Sequence, residues 1–275
     1  MVIDTNNEEQ YYNKNILFIS PHFDDAVLSC GSLIDKFIKN TNEVMVVTIC
    51  GGQPKKHKLS KIAQKLHNSW NFSNGTDIIK YRKQEDTNAL NFLGAKSIHL
   101  PICDAIYRTD QNGELLYNYD NFESILNYEL NKNDISPQKI VFLLEQKINI
   151  NNFSTIYVPL GAGGHVDHIL SRYVGQYLLL KKRKRVIFFS DFYAIKQAPL
   201  KVALQLDNTN FFEIYEKIHK NNIKAHIIAA KKYQSQLIEL KRFYKTNIET
   251  CIFELHINSQ NSNYFLKLWN PCLLV

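Results

Sequence analysis

Short apolar runs alternate with segments of helical periodicity along the first part of the chain. Residues 16–19 form an apolar run that stops at Ser20-Pro21, which is typical of a buried strand. Residues 27–38 carry apolar side chains at helical spacing, and residues 44–49 are a second β-branched run closed by two glycines. A strand, a helix and a strand in this order form the βαβ unit of a parallel sheet.

The same alternation continues downstream. Residues 78–93 have helical periodicity and stop at Gly94, a natural helix cap, before a predicted strand over residues 97–100. The pattern further predicts helices over 138–147, 167–180 and 225–243, and strands over 155–158, 186–189, 251–255 and 264–268. We therefore predict one α/β domain over 1–275 with a Rossmann-like, doubly wound, mostly parallel sheet. Its core covers about 15–240, and 241–275 is expected to be less regular.

Two segments lack a regular pattern. Residues 55–74 are polar, which predicts a surface insertion, and residues 103–131 are rich in Tyr, Asn and Asp. We expect the second segment to be a long loop on the active side, with one helix near its end. Specificity is expected in these loops, where Tyr107, Tyr117 and Tyr119 could stack on a ligand ring or pack against one another.

Composition narrows the class of protein. The 275 residues are 45% hydrophobic and 21% charged, an ordinary globular balance. No apolar run approaches the roughly 18 residues that a membrane span needs, and residues 1–10 lack the features of a secretory signal. We therefore expect a cytoplasmic protein without a membrane span. The five cysteines are scattered and contain no C-x-x-C pair, which argues against a disulfide framework or a thiolate metal site.

The net charge of +7 includes a basic run over residues 181–185. We interpret this run as a solvated helix end, because cations are favourable at helix C-termini. No interleaved aromatic residues or nucleic-acid motif accompany it, so we expect no nucleic-acid partner. The sequence does not indicate an oligomeric state.

Two polar clusters follow predicted strands. The first is Pro21-His22-Phe23-Asp24-Asp25, and the second is Gly163-Gly164-His165-Val166-Asp167-His168. Because the carboxyl ends of parallel strands share one edge of a sheet, these distant turns can converge. A catalytic zinc typically takes three protein ligands from His, Asp and Glu and keeps a fourth position for water. The clusters therefore predict a hydrolytic site with one Zn²⁺ per chain, although the same ligands can hold ferrous iron or cobalt.

The residues of the two clusters suit the roles of such a site. His22 and one aspartate of the first turn could join His168 as ligands, and the other aspartate would remain as a general base. The spacing alone leaves open which of Asp24 and Asp25 binds the metal. A further histidine, His165, could stabilise the oxyanion or protonate the leaving nitrogen.

These motifs resemble those of the PIG-L or LmbE-like zinc deacetylases. The first cluster is similar to the P-H-x-D-D signature of that family, and the second to its H-x-D-H motif. The helix over 78–93 also resembles the family's R-x-x-E, Ala, Leu-Gly pattern, through Arg82, Glu85, Ala89, Leu93 and Gly94, with Leu100-Pro101 and Asp104 after it. Residues 233–236, Tyr-Gln-Ser-Gln, are similar to its H-x-S-Q element. The resemblance spans roughly residues 15–236.

The resemblance implies a role for each matching position. His22, Asp25 and His168 would be the zinc ligands. Asp24 would be the general base, and His165 would stabilise charge with Asp167 behind it. The residues implied to contact substrate are Arg82 and Gln236.

The reaction implied is removal of an N-acetyl or other N-acyl group from an amino sugar. The small-molecule substrate would be an N-acetylglucosamine-containing conjugate or biosynthetic intermediate. The chain departs from the family pattern at Phe23, where a second proline is usual, at Ala26, where glutamate is usual, and at Tyr233, where histidine is common. None of these departures removes an implied ligand or base.

Three other interpretations remain open. The protein could be an amidase that acts on a non-sugar amide. The Gly161-Ala162-Gly163-Gly164 stretch could cradle phosphate in a nucleotide-binding Rossmann-like module, but it lacks the G-x-G-x-x-G spacing and a Walker lysine. A catalytically inactive scaffold would be expected to have lost a ligand or Asp24, and the sequence retains them all.

Overall fold

The computed structural model describes residues 15–40, 43–54, 59–70, 72, 77–117, 125–192, 210–258 and 264–271. In chain order, the first elements are β1 (Asn15–Ser20), α1 (Asp25–Lys39), β2 (Val44–Thr48), α2 (Lys61–Ser69), α3 (Ile78–Leu93), β3 (Lys96–His99), α4 (Pro137–Glu145), β4 (Phe153–Pro159), α5 (Val166–Leu180) and β5 (Val186–Phe189). The remaining elements are β6 (Phe211–Ile218), α6 (Lys220–Ala230), α7 (Gln234–Tyr244), α8 (Ile248–Leu255), β7 (His256–Asn258) and β8 (Tyr264–Pro271). None of the helices in these ranges is long and apolar enough to span a membrane.

The strands form one mostly parallel sheet in the order β3-β2-β1-β4-β5-β8-β6. The five strands from β3 to β5 are parallel, whereas β8 runs antiparallel to β5, β6 and β7. The chain leaves β1 toward β2 and β3, and it returns to the other side of β1 with β4. In open α/β sheets, ligands bind beyond the carboxyl ends of the strands at such a reversal. The turns after β1 and β4 therefore lie side by side.

Both faces of the sheet are covered, because successive side chains of each strand point to opposite faces. On β1, Ile16 and Phe18 pack with α1 and α3 in one core cluster, and Leu17 and Ile19 pack with α4 and α5 in another. A third cluster joins α2 to the segment after β3 and to the start of α5. This third cluster holds the polar insertion against the edge of the sheet that carries both turns.

The predicted doubly wound, Rossmann-like fold class is confirmed. The predicted strand over 251–255 is wrong, because these residues belong to α8, where Ile248, Cys251 and Ile252 are buried at helical spacing. The predicted helix over 225–243 is two helices, α6 and α7. The C-terminal part is more regular than expected, since β8 lies between β5 and β6 within the sheet.

Strand β6 was not predicted, and the two irregular segments differ from expectation in detail. Part of 55–74 forms α2. The described portion of 103–131 has a short 3-10 helix at Ala105–Tyr107, and Ile125 also has 3-10 helical conformation, whereas residues 126–131 are not helical. Tyr119 lies outside the described residues.

Candidate metal centre and its cavity

Local hydrogen bonds shape the turn after β1. Ser20 Oγ accepts a hydrogen bond from the Ala26 N–H at 3.0 Å and donates one to the His22 carbonyl at 2.6 Å. The His22 N–H in turn donates to Asp25 Oδ2 at 2.9 Å. Asp24 is the N-cap residue of α1, and Asp25 lies in its first turn. The turn therefore holds His22 and Asp25 side by side at the start of a helix.

The turn after β4 brings His168 to the same point. Asp25 Oδ2 lies 3.0 Å from His22 Nδ1 and 3.3 Å from His168 Nε2. These three residues offer ligand atoms that all lie within 4.8 Å of one another. Ligands held 2.0–2.1 Å from a tetrahedral zinc are roughly 3.3 Å apart. The donor set and its spacing therefore fit a divalent metal ion.

The second nitrogen of each imidazole faces another carboxylate. His22 Nε2 lies 3.1 Å from Asp167 Oδ2, and His168 Nδ1 lies 2.5 Å from Asp191 Oδ1. Histidine ligands of metals almost always have such an outer partner, which fixes the tautomer and the ring orientation. Sequence reasoning missed Asp191. Asp191 closely follows the predicted strand over 186–189, just as the two polar clusters follow their strands. This position at a strand end could have identified it.

Asp167 is placed differently from its implied role behind His165. Its carboxylate accepts hydrogen bonds from Arg108 Nη1 and from the Ala105 N–H, the latter at 2.8 Å. Its contact with His165 is through the main chain, since the Asp167 N–H donates to His165 Nδ1 at 3.2 Å. Burial opposes ionisation of Asp167, but Arg108 and His22 outweigh it and hold its pKa well below the usual value. Asp167 is thus a fixed negative charge behind His22.

Asp24 lines the same cavity as His22 and Asp25, and an arginine holds its side chain. Arg82 Nη2 donates to Asp24 Oδ1 at 3.1 Å, and both side chains are buried. Burial raises the pKa of Asp24 against the opposing effect of Arg82. The guanidinium of Arg82 also lies over the rings of Trp70 and Phe23, at 4.7 Å and 5.7 Å. Phe23, which departs from the family pattern, therefore packs against the arginine that orients the candidate base.

His165 completes a group of three imidazoles. Its ring centroid lies 4.9 Å from that of His22 and 5.3 Å from that of His168. Burial and the nearby His22 lower the pKa of His165 well below its usual value, so the ring is neutral at pH 7. Because Nδ1 accepts the hydrogen bond from Asp167, the ring proton is on Nε2. His165 is therefore prepared to donate one hydrogen bond.

Contacts between α3 and α7 bring Gln236 to the same region. The Glu85 carboxylate accepts hydrogen bonds from the Ser235 N–H at 2.8 Å and from Ser235 Oγ at 2.5 Å. Tyr233, which stands where histidine is common in the family, donates to Asp86 Oδ1 at 2.8 Å. These bonds fix the first turn of α7 and place Gln236 in the wall of a cavity.

This cavity has a volume of about 580 Å³ and opens onto the imidazole cluster. All but one of the predicted site residues line it, the exception being Asp167, which is fully buried behind His22. Asp104 and Asp191 add two further carboxylates to the lining. Much of the remaining wall is apolar or comes from α7, through Leu66, Trp70, Ile106, Ile125, Leu126, Glu239, Arg242 and Phe243. A cavity of this size lies within the roughly 300–1,000 Å³ of small-molecule sites.

A second group of potential ligands is less suited to a metal. It consists of His22, Cys50 and Asp167. Burial and the charge of Asp167 raise the pKa of the Cys50 thiol well above its usual value. A metal binds the thiolate, so this raised pKa disfavours the group. Asp167 is moreover already bound by Arg108.

Comparison with known structures agrees with this architecture. The chain is similar to the crystal structure of a deacetylase from the teicoplanin biosynthesis pathway, with a TM-score of 0.76. The two are 22% identical, and the match covers 95% of this chain and 100% of that one. Teicoplanin deacetylase has also been solved in a zinc-inhibited form. The N,N'-diacetylchitobiose deacetylase from Pyrococcus horikoshii is similar with a TM-score of 0.50 and 15% identity over 88% of this chain and 78% of that one. At these identities the likeness shows the fold.

Sequence comparison identifies the family to which the chain belongs. The 2'-N-acetylparomamine deacetylase of Niallia circulans is 26% identical over 186 residues, which are 64% of this chain and 66% of that protein, slightly under two thirds of its length. Residues 17–177 match the family described as PIG-L: GlcNAc-PI de-N-acetylase. This match covers more than half of the chain and includes both histidine turns. The chain therefore belongs to the PIG-L family of metal-dependent de-N-acetylases, which confirms the resemblance of its motifs.

Proposed function

We propose that this protein is a zinc-dependent hydrolase that removes an N-acetyl group from an amino sugar in a small-molecule conjugate. The observation that carries the proposal is the convergence of His22, Asp25 and His168 beside the buried Asp24 in one cavity. Relatives named as deacetylases of acetylparomamine, of diacetylchitobiose and of the teicoplanin biosynthesis pathway support an acetylated amino sugar as substrate. Two imidazoles and one carboxylate support zinc as the metal.

Each residue of the site has a distinct task in amide hydrolysis. A divalent ion held there would lower the pKa of a water molecule and polarise the acyl carbonyl. Asp24 accepts the proton of the attacking water and later delivers it to the leaving nitrogen, which departs as an amine while the acyl group leaves as acetate. Arg82 holds Asp24 in place through the 3.1 Å hydrogen bond. His165 donates a hydrogen bond from its Nε2–H to the oxyanion that forms.

The reaction can be tested by measuring acetate release from N-acetylated amino sugars after metal removal and re-addition. Purified protein would be treated with chelator and reloaded with Zn²⁺, Co²⁺ or Fe²⁺ in stoichiometric amounts, since a relative has been solved in a zinc-inhibited form. We expect metal to restore activity, with Zn²⁺ bound at one ion per chain. Turnover that persists after complete metal removal would contradict the metal-dependent mechanism. No acetate from any amino sugar, together with release from simple amides, would favour a non-sugar amidase.

A further inference from the structure

Helix α7 contributes a charged face to the cavity. Gln236, Glu239, Arg242 and Phe243 follow one another at helical spacing and all line it. Gln236 is buried near the start of the helix, and Arg242 and Phe243 are exposed at the opposite end of this wall. Glu239 lies between them and is partly buried.

Glu239 differs from the other carboxylates that line the cavity. Within the described part of the chain, its Oε2 is buried and accepts no hydrogen bond. The other four carboxylates have polar partners: Asp24 contacts Arg82, Asp25 contacts His22 and His168, Asp104 accepts from the Ile106 N–H, and Asp191 contacts His168. Arg242 lines the cavity one turn beyond Glu239, yet among the described residues no ion pair joins them.

A buried carboxylate oxygen without a partner is unfavourable. Native proteins retain few such groups, and each one requires an explanation, such as a ligand or an ordered water. An ammonium ion would satisfy Glu239 best, because it supplies both charge and hydrogen-bond donors. A sugar hydroxyl would also donate a hydrogen bond to the carboxylate, but it carries no positive charge and would leave the buried negative charge unpaired.

We propose that Glu239 binds a free amino group of the substrate, so that the preferred substrate carries an unacylated amine in addition to its N-acetyl group. This inference rests on the proposed function, since it assigns a specificity-determining residue to that reaction. The cavity of about 580 Å³ suits a ligand of drug-like size, which leaves room for a second ring that carries the amine.

The proposal can be tested with three disaccharides, one neutral and two that carry a single positive charge. N,N'-diacetylchitobiose is neutral, whereas mono-N-acetylchitobiose, in both positional isomers, carries one free amine. We expect the wild-type enzyme to release acetate from an amine-bearing isomer with at least tenfold higher kcat/KM, about what one charged hydrogen bond contributes. Glu239→Gln keeps the shape of the side chain, and we expect it to abolish this preference. Glu249→Gln removes the same charge from a surface pair with Lys231 outside the cavity lining, and it should retain the preference.

A wild-type enzyme without a preference for the amine, or a Glu239→Gln variant that keeps it, would overturn the inference. If no disaccharide releases acetate, the proposed function is contradicted for this substrate class, and the subsite is tested by binding. Calorimetric titration of metal-loaded protein with fully deacetylated chitobiose should then show at least tenfold weaker binding to Glu239→Gln than to wild type. Equal binding would overturn the subsite as well.

Discussion

Asp191 provides the sharpest test of how the proposed metal centre is supported. Its side chain is 1% exposed, and its two oxygens serve two donors. Oδ1 lies 2.5 Å from His168 Nδ1, and Oδ2 accepts the Ala162 N–H at 2.7 Å. Asparagine has the same shape but only one oxygen. In Asp191→Asn, one of these donors must therefore face an amide NH₂ group.

The expected cost follows from these contacts. A hydrogen bond to a charged group contributes about 1.5–3 kcal/mol, and each 1.4 kcal/mol corresponds to about a tenfold change in affinity. Removing the outer partner of a histidine ligand typically lowers metal affinity by about 10–100-fold, the same range. We therefore expect Asp191→Asn to raise the Kd for Zn²⁺ by about 10–100-fold. Because Asp24 and His165 are unchanged, saturating metal should restore most of kcat.

Competition with a fluorescent chelator would measure the Kd, and acetate release at increasing metal would measure the recovery of kcat. Asp35→Asn is a matched control, since Asp35 is also a buried aspartate but accepts hydrogen bonds from Lys39 and Asn222 outside the cavity lining. It should leave metal affinity unchanged. A folded Asp191→Asn protein with wild-type affinity would refute the argument that Asp191 supports the ligand.

Three further predictions concern the base, the protons and the packing of the site. Asp24→Asn should lower kcat by about 10²–10⁴-fold while metal content stays at the wild-type level, and an active variant would exclude Asp24 as the base. Burial lowers the pKa of His168, but Asp25 and other carboxylates outweigh burial and raise it to about 10, so metal must displace a proton. Metal affinity should then rise with pH between about 6 and 8 by up to tenfold per unit, and a flat profile in chelator competition would contradict this. A Cβ at Gly31 would lie 2.4 Å from the buried His226 ring, so Gly31→Ala should cost about 1–3 kcal/mol in urea unfolding, and unchanged stability would contradict the close packing.

The sequence predicted best where local pattern and tertiary environment agree. The parallel core was predictable because apolar runs and helical periodicity alternate there, and the strand over 186–189 coincides with β5. The C-terminal part was less predictable because its strands are antiparallel and amphipathic, so β6 carries exposed and buried residues in turn. Residues 251–255 are β-branched or aromatic in part, yet Asn247 caps a helix there by accepting the Thr250 N–H. Tertiary packing of one helical face then decides the structure.

The candidate site shows the same division between local and distant information. The motif residues were identifiable because they cluster in the sequence. Arg108 carried no such signal, since its importance depends on a fold that brings it to Asp167, 59 positions away. A role for Glu239 could not be predicted either, because in the sequence it looks like any solvated helix glutamate. Only its position in the cavity wall formed by α7 distinguishes it.

The Arg108 contact also links substrate specificity to metal binding. Arg108 Nη2 donates to Asp134 Oδ2 at 2.8 Å while Nη1 contacts Asp167, and Asp167 lies behind His22. The segment that carries Arg108 and Asp134 also contributes Ile106, Ile125 and Leu126 to the cavity wall. Because one buried guanidinium joins this segment to the carboxylate behind the proposed ligand His22, we expect rearrangement of the segment for a new substrate to disturb the support of His22. Within this fold, we therefore expect specificity to vary more freely along α7, whose Glu239 and Arg242 have no contact with the ligands among the described residues, than along the segment after β3.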